Sequence, residues 1–71
     1  DATRAKASAR YAISWARYNI DAARLYTKGD NLLRHAQACD AIGHTIIADR
    51  VRDMARRLFD RADSLPLPDT I

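Results

Sequence analysis

The chain predicts an all-α fold: a small helical bundle made of a long first helix and a returning helical arm. Three observations point there. Alanine is the commonest residue, and Ala and Arg are among the strongest helix formers. Only two glycines occur, Gly29 and Gly43, and both prolines, Pro66 and Pro68, fall in the tail. Finally, a heptad repeat runs through the first third. Residues 9–13 read Ala-Arg-Tyr-Ala-Ile, residues 16–20 read Ala-Arg-Tyr-Asn-Ile, and a looser copy, Ala23-Arg24-Leu25-Tyr26-Thr27, follows.

The first helix is expected over residues 3–28. Thr3 is placed to cap its start, and Gly29 stands where a left-handed residue would stop it. Asp30 is then the expected N-cap of a second helix beginning at Asn31 and Leu32. Lys28-Gly29-Asp30 reads as the tight turn of an αα-hairpin.

At Gly43-His44-Thr45 a second break is expected. Gly43 would end one helix and Thr45 would cap the next, with Asp49 favourable near its start. The alternative is one helix over 31–64 with Gly43 inside it, at about 1 kcal/mol relative to Ala. The apolar rhythm favours the break. Ile47, Val51, Met54 and Leu58 keep a heptad spacing, whereas Leu32, Ala36, Cys39 and Gly43 keep one that is a residue out of phase. Three helices, with 31–42 and 46–64 following the first, are therefore expected over a two-helix hairpin. One helical domain over 1–65 is expected, and an extended tail over 66–71, where Pro66 and Pro68 exclude helix.

So short a chain buries only about 60% of the surface its unfolded form exposes. Disulfides, metals or association make up that deficit in small domains. Cys39 is the only cysteine, so no disulfide forms within one chain, and a reducing, cytoplasmic setting is the expectation. No run approaches the roughly 18 apolar residues of a membrane span. The chain opens at Asp1 without a Met and reads as a processed or excised piece. Asp supplies all nine acidic groups, unlike a designed helical protein, which would lean on Glu.

The net charge of +3 is uneven: residues 1–30 carry six basic and three acidic groups, and residues 31–71 carry six of each. The excess belongs to the first helix, well short of a basic arm.

The repeat also sets two apolar stripes on that helix. Ala9, Ile13, Ala16, Ile20 and Ala23 form one, expected to face Val51, Met54 and Leu58 of the returning arm. Tyr11, Trp15, Tyr18, Ala22 and Leu25 form the other, about 160° away at 100° per residue. An outer helix of a bundle needs only one such stripe. A second helix of about 12 residues cannot span a first of about 26. The aromatic stripe is therefore the candidate interface with a second chain, a copy of itself or another protein, since large aromatics are enriched at interfaces.

Other constellations are weaker. Lys6, Arg10, Arg17, Arg24 and Lys28 make a ridge about 33 Å long that matches a phosphate backbone, with Tyr and Trp between them that can stack on unpaired bases. They are the candidate phosphate contacts of an alternative, nucleic-acid-binding function; pairing of Asp21 with Arg17 and Arg24 on a solvated flank also explains them. A helix-turn-helix over 32–57 fails, because Asp49 and Arg50 fall where buried apolar residues are needed. His35, Cys39, Asp40 and His44 have helical ligand spacings, but the two pairs point in different directions and zinc needs three or four ligands; no metal is expected. Ser8, Ser14 and Ser64 lack a glycine elbow or nearby base, no glycine-rich loop is present, and the Asp and Arg residues of 49–63 read as a salt-bridged outer face. No enzyme activity, catalytic residue, cofactor or small-molecule substrate is expected. A turn followed by Asp between Ala-rich helices, over 16–43, superficially resembles a tetratricopeptide unit. The register fails at Arg34, where the small residue is due, and no function follows from it.

Overall fold

The computed structural model describes residues 2–68. It contains two helices, α1 over Ala2–Ala41 and α2 over Thr45–Asp63, joined by a turn and packed along one another. The hairpin measures 63 × 16 × 8 Å, with a radius of gyration of 18.0 Å. A compact domain of this length has about 11 Å, so the molecule is a rod. The expected third helix is absent because α1 does not stop at Gly29; Asp1 and the tail positions 69–71 lie outside the described residues.

Gly29 is helical and buried. A Cβ built there would stand 2.5 Å from Cε1 and 2.7 Å from Cζ of Phe59. This glycine lets the Phe59 ring of α2 lie on the backbone of α1, and it turns nothing. Asp30 is accordingly an interior helical residue, not a cap, and Thr3 lies within the first turn of α1.

The chain does turn at Gly43, the one glycine with positive φ, +84°, a conformation costly for residues with a Cβ. Gly43 N–H donates to Asp40 O at 3.0 Å and His44 N–H to Cys39 O at 2.8 Å, which satisfies the last carbonyls of α1. His44 is the N-cap of α2, without a side-chain capping bond, and its carbonyl accepts from Ala48 N–H. The expected cap, Thr45, is the first helical residue instead. α2 ends at Asp63, two residues before the proline tail begins to exclude helix.

The core is a seam of small residues. Ala36, Cys39, Ala48 and Val51 form its buried cluster, with Leu32 packed against them, and Ala55 and Ala62 are buried further along α2. No large side chain among the described residues is fully buried. The seam is closed at one edge by Tyr26, whose ring stacks on Phe59 at 5.6 Å and whose hydroxyl donates to Asp63. Arg52 ties α2 to the turn end of α1, reaching Asp40 at 2.6 Å and Asp49 at 2.5 Å.

Candidate interaction surface

α1 is about 60 Å long and α2 about 28 Å at 1.5 Å per residue, so α2 cannot cover all of α1. The residues of α1 buried against α2 belong to a single stripe. Counting back from the turn, Cys39, Ala36, Leu32, Gly29, Leu25, Ala22, Tyr18, Trp15 and Tyr11 follow at alternating spacings of three and four. This is one unbroken heptad seam. Its turn-proximal half is buried or packed under α2.

The aromatic residues singled out from the sequence are thus the N-terminal continuation of the hairpin's own seam. Leu25 is half-buried and lines a shallow depression with Arg61 and Leu65 of the returning chain; Ala22, one turn earlier, is also half-buried. Beyond Ala22 no helix of this chain follows. Leu65-Pro66-Leu67-Pro68 instead lines an open depression with Ser14, Arg17, Tyr18 and Asp21. The aromatics pack on each other along the helix: Tyr11 meets Trp15 edge-on at 6.2 Å, and Trp15 meets Tyr18 edge-on at 5.6 Å. Tyr11 is 36% exposed. Trp15 Nε1 is buried and, among the described residues, has no hydrogen-bond acceptor.

The opposite stripe does not face α2. Ile13 and Ile20 are about half exposed, and so is Met54, while Val51 belongs to the core with Leu32 and Ala36. The expectation that the Ala/Ile stripe packs on Val51, Met54 and Leu58 is therefore wrong. The seam lies nearly half a turn away, and the contacts are made by Leu32, Ala36 and Cys39. The sequence reading also missed Tyr26 and Phe59; both sit at the edge of the seam, a position visible only once α1 is known to run through Gly29.

Lys6, Arg10, Arg17, Arg24 and Lys28 are all exposed on one flank of the continuous α1. Arg61 joins Arg24 and Lys28 around Asp21, the one acid of that flank. Arg52 pairs with both Asp40 and Asp49, and these hydrogen bonds hold its guanidinium charged well above its ordinary range. The Tyr26 hydroxyl is also pushed upward from 10.0, mainly by its hydrogen bond to Asp63. Among the described residues no group of three or more His, Cys, Asp or Glu is placed to hold a metal ion, and no helix is long and apolar enough to cross a membrane.

The class the geometry defines is an elongated, all-α two-helix hairpin with an overhanging first helix. Comparison with known protein families, with curated proteins and with solved structures finds no match.

Proposed function

We propose that this chain is a non-enzymatic helical association module, in which the overhanging N-terminal arm of α1, residues 2–21, takes a helix from another chain. The observation that supports this reading is the mismatch of helix lengths along one continuous seam: 40 residues in α1 against 19 in α2. Tyr11, Trp15 and Tyr18 present the seam where α2 has ended, and a small-residue core leaves the hairpin with little burial of its own. Ala22 and Leu25 join the two parts.

Light scattering on a sizing column at two concentrations, with and without Trp15→Ala, tests it. Association should weaken in the variant while circular dichroism stays helical. If Trp15→Ala unfolds the chain, Trp15 serves the core and the arm loses its central contact.

A second reading has one observation in its favour. Because α1 is continuous, Lys6, Arg10, Arg17, Arg24 and Lys28 line up on one rigid flank, with Arg61 added from α2. Such a flank suits a phosphate backbone, and its binding to generic DNA or RNA would fall steeply with salt. Absence of binding at low salt removes this reading.

A further inference from the structure

Resting on the association reading, we propose that the helix seated on the arm is the arm of a second copy of this chain, antiparallel to the first, so that residues 2–17 of two chains overlap in a twofold dimer.

The first argument is continuity. α2 already runs antiparallel to α1 in this seam. Ala36 and Cys39 share the core with Ala48 and Val51, and Gly29 meets Phe59. Carried on by heptads, the same register sets Leu65 level with Ala22. From there the stripe continues through Tyr18, Trp15, Tyr11 and Ser8 to Arg4, on a helix that keeps its full regularity to Ala2. An antiparallel arm from another copy prolongs the packing that α2 begins.

The second argument is charge. In an antiparallel pair, each flank of the seam lies beside the same flank of the other copy, so charges there would meet their own kind. Over the overlapping residues 2–17 the flanking positions are Ala5 and Ala12 on one side and Ala7 and Ser14 on the other, all uncharged. Lys6, Arg10 and Arg17 sit well away from the seam. A second copy therefore meets no repulsion, and an acidic partner helix would find no cation beside the seam except Arg4 at its tip. Beyond the overlap the flanks carry charge, at Asp21, Lys28 and Asp40, and Asp40 pairs with Arg52 of α2.

The third argument fixes the register. Heptad packing allows only steps of seven residues. One register sets Trp15 level with Arg4 of the partner subunit and Tyr11 level with Ser8 of the partner subunit. The incoming helix then starts level with Arg17, short of Leu65, and Leu65-Pro66-Leu67-Pro68, which line a shallow depression with Ser14, Arg17, Tyr18 and Asp21, stand beside its start on the Ser14 flank of the seam. The next register, a heptad further along, drives the start of the incoming helix into Leu65. In the favoured one, the only arm cation within the seam, Arg4, meets the ring of a Trp, a favourable cation–π pairing. The overlap is about 24 Å long.

Engineered cysteines test the pairing directly. Within one chain Ala5 and Ala12 are two turns apart, about 10 Å, too far to bridge without backbone movement. In the proposed dimer Ala5 lies beside Ala12 of the partner subunit. The chain carrying both Ala5→Cys and Ala12→Cys should oxidise to a covalent dimer on a non-reducing gel. Each single variant should stay uncrosslinked, and these also control for the buried Cys39. All three should keep the parent helicity, and the unsubstituted chain should scatter as a dimer. Crosslinking by Ala12→Cys alone would overturn this register while leaving the association reading in place. A monomer at every concentration would overturn the second copy as occupant. If Trp15→Ala then remained helical, the arm would still be free for a different chain; if it unfolded, the association reading would fall too.

Discussion

The two halves of α1 share one heptad seam and differ in what lies against it. Over residues 22–41 the seam positions are mostly small, Ala22, Gly29, Ala36 and Cys39, and α2 approaches closely enough for Phe59 to touch the backbone at Gly29. Over residues 2–21 the seam turns to Tyr11, Trp15 and Tyr18, and the chain supplies only its proline tail. Small residues allow a close neighbour, while large aromatics hold a neighbour further off and bury more area against it. The same rhythm therefore specifies a tight internal contact at one end and a wider contact at the other.

The strongest way to break this comparison is to place one charge in each half. Ala36→Asp puts an unpaired carboxylate at a site 1% exposed and should cost more than about 3 kcal/mol, enough to abolish cooperative melting by circular dichroism. Ala9→Asp, on the exposed side of the arm, should change stability by no more than about 0.5 kcal/mol. Equal effects would mean that the Ala/Ile stripe of the arm is covered as the seam of the hairpin is. Next in size is Gly29→Leu, whose side chain has no room beneath the Phe59 ring; a loss of about 1–3 kcal/mol is expected from overpacking, read as a lower melting midpoint. Trp15→Phe should be milder still, because it removes a buried indole N–H that has no acceptor among the described residues while keeping most of the ring. Its helicity should match the parent, and a large loss would show that the indole makes a bond this geometry lacks.

The smallest effect concerns pH. The Tyr26 hydroxyl titrates above 10.0 in the folded hairpin because it donates to Asp63. A raised pKa means that folding favours the protonated phenol, so this contribution is fully present below the unfolded value and is lost as pH climbs through the folded one. The melting midpoint of the parent should therefore fall more steeply above about pH 10 than that of Tyr26→Phe. Parallel curves would show that the bond carries no stability.

Much of the hairpin was legible in advance. The helical class followed from composition, the turn at Gly43 from the phase change between Cys39 and Ile47, and the end of α2 from Pro66. Gly29 was misread because a glycine that ends a helix and a glycine that admits a neighbouring ring are the same letter, and the Asp30 that follows looks like a cap. The contrary signal was present: Leu25, Gly29 and Leu32 keep the heptad spacing straight through. The stripes were found, but α2 packs along the line of the aromatic stripe and not on the Ala/Ile one, since two opposed faces on one helix carry no mark of which one its own chain will cover. That choice is made by α2, whose buried Ala48, Val51, Ala55 and Ala62 fit only a closely approaching surface.

The alanine-built seam has a thermal consequence. The heat-capacity change of unfolding scales with the apolar surface newly exposed to water, and a contact built from Ala36, Ala48, Ala55 and Ala62 hides little of it. The isolated hairpin should have a shallow stability curve, with a melt spread over a wide temperature range and weak sensitivity to cold. Pairing of the aromatic arms would add the missing curvature, so calorimetry of the assembled and dissociated forms would differ in shape as well as in midpoint.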